Sequence, residues 1–487
     1  MQKRVYVTTA IPYVNARPHI GFARELVIAD CVARSQRLLG REARLQTGTD
    51  ENAFKNVQAA RAAGEETAAL VGRHAAAFRA LGPTVQAGVD AFVRTSQNEH
   101  HRAVHRLWGM LRPDDLYRRR YRGLYCVGCE DFWLERDLDG GRCPVHEAEP
   151  GEVEEENVFF RLSRYQEPIE EAIASGRLRV EPRQRRAEVL AFVRRGLRDI
   201  SVSRQSARVG GWGVPLPGDA GQRVDVWIDA LVNYLTGLGF GAAGDWRAWW
   251  GPGARAVHVI GKDVWKFHAC YWPGLLLSAG LPLPDTLLVH GFVTQEGQKI
   301  SKSSGAAVGP EAYAARYGAD ALRYALLRIP VGEDGDFSWR GLQRLYEADL
   351  ADGLGNLCRR VTALAERSGY GGGIAEPAAW PELEAELAAC RFDRALQLVW
   401  EAIGALNRDI DGLKPWVPLR RGERAALHGP LERWLAGLRQ LAFWLQPFLP
   451  RAAGRIEAAL ARRPLAALPP LFPKTAATTE EEDDGPE

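Results

Sequence analysis

At two places along the chain, short runs of alternating apolar and polar residues are followed by a stretch of helical period. The first place runs from "RVYVTTAI" (4–11) through "IGFARELVIADCVARSQRLLG" (20–40) to "EARLQTGTDEN" (42–52). In the middle stretch Leu26, Val27, Ile28, Val32 and Leu38 recur near helical spacing, and Gly40 stands where a C-terminal cap belongs. The second place runs from "VDVWIDALVNYL" (224–235), read as strand-like, through "ARAVHVIGKDV" (254–264) and a helix near 265–280 to "TLLVHGFV" (286–293). Strand, helix and strand in alternation predict an α/β fold, a parallel sheet covered by helices. Such sheets bind ligands beyond the carboxyl ends of their strands, where "TTAIPYVN", "TGTDEN", "VIGKD" and "HGF" would emerge.

The alternation breaks off twice. Residues 116–210 carry a cysteine cluster and many arginines, and beyond about residue 330 only helical patterns follow, such as "DRALQLVWEAIGALNRDIDGL" (393–413). A chain of 487 residues has room for several domains. No apolar stretch is long enough to span a bilayer. The first residues read as a buried strand entering a loop rather than a secretory signal, so a cytoplasmic location is expected.

The formal charge is only +2, but six acids crowd into "EEEDDGPE" (480–487). Without them 63 basic residues face 55 acidic ones, a net +8, and the tail is expected to be a disordered appendage. The stretch "RQRRAEVLAFVRRGLRDISVSRQSAR" (183–208) would suit a polyanion, or it is a set of solvated helix faces.

Cys126, Cys129, Cys143 and His146 form the pattern C-x2-C-x13-C-x2-H. Each close pair puts two ligands on one knuckle, and three thiolates with one imidazole close a tetrahedral Zn2+ shell. A shell with no open position is structural. Cys31, Cys270, Cys358 and Cys390 stand singly in helical patterns and are read as small core residues.

"ARPHIGFARE" (16–25) sets His19 at the start of the first helix, where free backbone N–H groups favour phosphate and Gly21 permits close approach. Far downstream "GQKISKSSG" (297–305) follows the last strand pattern and offers Lys299 and Lys302 between glycines. No P-loop and no dinucleotide fingerprint competes for a nucleotide.

H-I-G at the first strand–helix turn, paired with K-I-S-K-S after the last strand, resembles the nucleotide motifs of class I aminoacyl-tRNA synthetases. "YVNARPHIG", "TGTDEN", "VWIDALVNYL", "IGKDVWKFHACYWP" and "LNRDIDGLKPW" narrow the resemblance, over residues 4 to about 473, to the methionyl-tRNA synthetase family. The resemblance implies a split Rossmann-like parallel-sheet catalytic domain (1–115 and 211–292) with a zinc-binding insertion (116–210). A lysine-loop region (293–345), an all-α helical-bundle anticodon-binding domain (346–473) and the tail (474–487) would follow. The implied activity joins L-methionine to ATP, with Mg2+, and then to the 3′-terminal adenosine of methionine tRNA. His19, Gly21, Phe22, Lys299, Ser301 and Lys302 would hold ATP, with His19 and the two lysines stabilising the transition state. Asp50 would pair with the α-amino group, and the Ile11 backbone and the Tyr234 hydroxyl would meet the sulfur. Tyr13, Trp227, Ala230, Leu231, Val264, His268 and Trp272 would complete the amino-acid pocket. Asn356, Arg360 and Trp416 would read the anticodon, since unpaired bases are recognised by stacking and edge hydrogen bonds. The chain lacks the extra dimerising domain of some relatives, so a monomer is expected.

Three positions depart from the family pattern: Phe22 for a histidine, Asn52 for a histidine, and Ile300 for methionine. They point to a divergent branch or second copy. A catalytically altered paralogue, or another ATP-dependent nucleotidyltransferase, is the alternative reading.

Overall fold

The computed structural model describes residues 4–133, 135–144, 147–295, 297–299 and 308–474. It divides into two compact units, one formed by 1–18, 41–82 and 88–291, the other by 19–40, 83–87 and the chain from 292 onward.

The first unit is built on a six-stranded, all-parallel sheet. Its strands are β1 (Arg4–Thr9), β2 (Glu42–Thr49), β3 (Ala91–Arg94), β4 (Arg179–Glu181), β5 (Ala254–Gly261) and β6 (Thr286–His290), in the spatial order β3-β2-β1-β5-β6-β4. The central strands are buried almost throughout, as a parallel sheet covered on both faces requires, and Val7 pairs with Leu45 on one side and Val257 on the other. The strand order reverses between β1 and β5. The loops leaving Thr9, Thr49, Gly261 and His290 therefore open on one edge, at the kind of switch point where open sheets bind ligands.

Two sheet strands leave no readable trace in the sequence. β3 and β4 are four and three residues long, and β4 lies inside the range 116–210 assigned to the insertion, yet pairs with β6 at Val180↔Leu287. The stretch 224–235, read as strand-like, is corrected. A strand Asp219–Val224 pairs outside the main sheet, and the helices Val226–Leu231 and Asn233–Thr236 follow, the first capped by the Asp225 carboxylate, which accepts the Trp227 N–H at 3.1 Å. A short apolar run is compatible with either period, and this cap selects the helix.

The insertion is a twisted ribbon of Leu116–Cys126 against Gly151–Phe160. Its arginines face glutamates across the ribbon, Arg122 with Glu152 and Arg120 with Glu154. Half of the arginine belt is ion-paired internally: Arg185 to Glu188, Arg194 to Glu170, Arg208 to Glu155, and Arg204 to Asp225 in a buried pair.

The second unit carries the helical region. Helices Asn356–Ser368, Phe392–Leu413 and His428–Leu445 turn one apolar stripe inward, burying Val361, Leu396, Ile403, Leu435 and Leu438. The helix Ile20–Leu38, read from the sequence as part of the first sheet half, groups with this unit by its contacts. Its fully buried Asp30 binds Arg323 at 2.7 Å, and that guanidinium also donates to the carbonyls of Val85, Pro447 and Phe448. A buried charge is tolerable only when paired and hydrogen-bonded in this way. Among the described residues no helix is long and apolar enough to cross a membrane.

Candidate active site

The loops after β1 and β2 meet at an isolated bridge between Tyr13 and Asp50, where the Asp50 N–H donates to the Pro12 carbonyl at 2.8 Å. This buries the Asp50 carboxylate beside Asp229 and Glu130. Burial first, and those carboxylates second, push its pKa well above the usual carboxylate range. Its side chain accepts the Asn52 N–H at 3.3 Å. A buried carboxylate of this kind is stabilised by an arriving cation such as an α-ammonium.

The predicted aromatic residues fall into two groups in this unit, one beginning at Tyr13 and one at Tyr234. Tyr13 meets Trp227 edge to face at 6.1 Å, and Trp227 stacks on Phe267 at 3.5 Å. Val264 and His268 come from the segment after β5, and residues 267–271 form a single π-helical turn, an irregularity that is often found at functional sites. The His268 Nδ1 lies 2.9 Å from the Val264 carbonyl, which only accepts, so Nδ1 carries the proton. Burial holds the His268 pKa down to about 4, so the ring is neutral and its Nε2 accepts from the Tyr234 hydroxyl at 2.6 Å. Tyr234 thus donates its O–H hydrogen bond to His268 and presents lone pairs elsewhere. Trp272 lies 6.1 Å from Tyr234. Leu231 and Trp272 belong to the buried apolar cluster of this unit, Ala230 is buried beside Leu231, and Ile11 is half-buried two residues past β1.

The cysteine knuckle reaches this same wall. Cys126, Cys129 and Cys143 hold their sulfurs within 4.8 Å of one another, while His146 lies outside the described residues. Three thiols at that separation fit a common soft metal ion. The Cys129 carbonyl accepts the Trp227 indole N–H at 2.9 Å. The next residue, Glu130, accepts the Lys55 N–H at 3.0 Å, and the Lys55 ammonium sits 5.0 Å above the Tyr13 ring.

Sequence reasoning missed the support beneath the site. Asn52 donates to Asp229 at 2.7 Å, Asp229 binds His100 at 2.6 Å, and the Trp212 indole donates to the Glu51 carbonyl at 2.7 Å. Nothing in a linear pattern marks these partners, which lie far apart along the chain.

In the second unit His19 caps the helix Ile20–Leu38, its Nδ1 accepting the Gly21 N–H at 3.1 Å. Neutral His19 therefore carries its proton on Nε2, as a donor to phosphate must. A Cβ at Gly21 would meet the His19 ring at 2.9 Å, so a side chain there would push the capping ring aside. Phe22 stacks on His19 at 4.2 Å. Of the lysine loop, the backbone of Lys299 pairs with Thr294, and Ser301 and Lys302 lie outside the described residues. Asn356 is half-buried, Arg360 is paired to Asp411, and Trp416 is 40% exposed on the surface.

A family model described as tRNA synthetases class I (M) matches residues 5–153 and 135–362. The chain belongs to this family. This class I synthetase is 38% identical to the methionine–tRNA ligase of Brucella suis over 477 residues, 93% of this chain and 91% of that protein. It is 36% identical to that of Thermotoga maritima over 469 residues, covering 92% and 73%. The solved Mycobacterium tuberculosis methionyl-tRNA synthetase in complex with methionyl-adenylate superposes with a TM-score of 0.87 at 33% identity, covering 96% of this synthetase and 99% of that chain.

Proposed function

We infer that this class I synthetase is a methionine–tRNA ligase. The observations that carry the reading are the buried Asp50 carboxylate bridged to Tyr13, which packs against Trp227, and the buried Tyr234–His268–Trp272 cluster of the same unit. One anion suits an α-ammonium, and an aromatic and aliphatic wall suits a polarizable thioether. In the first step a carboxylate oxygen of methionine attacks the α-phosphorus of ATP, and pyrophosphate leaves with the electron pair of the broken P–O bond. The nucleophile belongs to the substrate, so the protein contributes positioning and charge stabilisation. Asp50 orients the amino acid. His19, with the backbone around Gly21, and Lys299 and Lys302 of the loop bind the Mg2+-bound triphosphate. In the second step a hydroxyl of the 3′-terminal adenosine attacks the adenylate carbonyl and AMP departs.

The knuckle thiols Cys126, Cys129 and Cys143, with His146, would hold one Zn2+ as a structural cross-link of the ribbon end. The Cys129 carbonyl anchors the Trp227 indole. Asn356, Arg360 and the exposed Trp416 form the anticodon contacts, and the enzyme works as a cytoplasmic monomer.

The test is amino-acid-dependent ATP–pyrophosphate exchange over the standard amino acids, followed by charging of methionine tRNA. Methionine should stand alone in both. Exchange with no amino acid would identify a silent paralogue, and exchange with a different one would overturn the reading.

A further inference from the structure

We propose that His258 is a positioning residue for methionine, acting through Tyr234. This rests on the reading of the site as a methionine pocket. His258 lies in the interior of β5 and is fully buried. Its ring stacks on the Tyr234 ring with centroids 4.0 Å apart and planes 27° apart. One ring nitrogen, Nδ1, is fixed 2.7 Å from the Thr8 hydroxyl on the neighbouring strand β1, where Thr8 and His258 are register partners. The other, Nε2, is buried and has no hydrogen-bond partner among the described residues.

What histidine supplies here is a flat face whose rotation is locked by Thr8. Tyr234 needs such a backing, because it is held at its other ends: its backbone carbonyl accepts from the Tyr6 hydroxyl at 2.9 Å, and its own hydroxyl donates to His268. The face contact with His258 sets the remaining freedom, the tilt of the phenol. Displacement of a positioned group by about an ångström is enough to weaken productive binding. The ring is also neutral, since burial first, and His268 second, hold its pKa well below the ordinary histidine value. It therefore brings no charge to a site that must accept a thioether.

The experiment compares His258→Ala, His258→Phe and Thr8→Val in the full chain. Methionine KM and ATP KM are read by exchange, and methionine Kd by tryptophan fluorescence. His258→Ala should raise the methionine KM and Kd about tenfold, a loss near 1.4 kcal/mol, with ATP KM and kcat changed less than about twofold. His258→Phe, which keeps a flat face and removes the unpartnered nitrogen, should recover most of that loss. Thr8→Val should shift methionine KM in the same direction by a smaller factor. An unchanged methionine KM in His258→Ala, or equal increases for methionine and ATP, overturns the proposal. So does His258→Phe behaving like the alanine variant with an unaltered melting temperature. Failure of the wild-type chain to exchange with methionine would instead sink the functional reading beneath it.

Discussion

Asp50 shows how a single residue's environment states its task. A carboxylate buried beside Asp229 and Glu130 gains a proton more readily than one in water, and only its ionised form attracts an ammonium. The sign follows directly. As pH falls through the raised pKa, Asp50 protonates in the free enzyme and methionine affinity drops, while the neutral His268, with a pKa of about 4, contributes no change above that. Methionine KM measured from pH 8 downward should therefore climb before ATP KM does. Asp50→Asn should remove the slope and raise methionine KM by roughly a hundredfold, because losing one partner of a buried charge pair costs about 3 kcal/mol. A flat methionine KM profile in the wild type would contradict this. Lys302 is expected to behave in the opposite way. Its charge meets phosphate as the transition state forms, so Lys302→Ala should lower the exchange rate by about a hundredfold or more while methionine KM stays near its original value. Normal exchange in that variant would make 297–305 an ordinary surface loop. Phe22 sharpens the point: it stacks on His19 where the family pattern has a second histidine, which leaves the lysines as the cationic groups assigned to the triphosphate.

At the scale of elements, what the sequence reveals is what a local pattern can encode. The strands β5 and β6 are legible because they are apolar, β-branched and bounded by turns, and the helix Ile20–Leu38 because its period is long and its cap glycine plain. β3 and β4 are not, since "AFVR" and "RVE" become strands only through the edges they pair with. The knuckle is legible through cysteine spacing alone, whereas its coupling to the site is not. That coupling runs through a backbone carbonyl, Cys129 to Trp227, which no residue pattern can display. It yields an element-scale prediction. Cys143→Ala should abolish stoichiometric zinc, measured by atomic absorption, and lower the melting temperature, and it should raise methionine KM more than ATP KM because Trp227 loses its anchored partner. Zinc retained at full stoichiometry would show that the three thiols are not the ligands. Two buried polar pairs are equally hidden: Thr8 with His258 and Gln46 with Asn233 look like scattered polar residues in apolar elements until the fold joins each pair.

For the whole molecule, charge has to be counted after the structure has spent it. The arginines of 183–208 looked like a surface for a polyanion, but Arg185, Arg194, Arg204 and Arg208 are ion-paired within the chain. Exposed arginines follow Trp416 in the chain, at Arg420, Arg421 and Arg424, in the region proposed to contact RNA. Against this stands the tail, six acids within 480–487 on a chain whose net charge is +2 with them and +8 without. An anionic tail and an RNA substrate repel each other, and that repulsion adds to the encounter step rather than to the chemistry. Ending the chain after Lys474 should therefore leave methionine-dependent exchange unchanged, because that step involves no RNA. In the charging reaction the same truncation should lower the tRNA KM severalfold at low ionic strength. The difference should shrink as salt is raised, since exposed charges are screened over about 10 Å at 0.1 M. A tRNA KM indifferent to the truncation at low salt would mean that the tail's charge lies beyond reach of the bound RNA. A drop in exchange would mean instead that residues after Lys474 contribute to the catalytic unit itself.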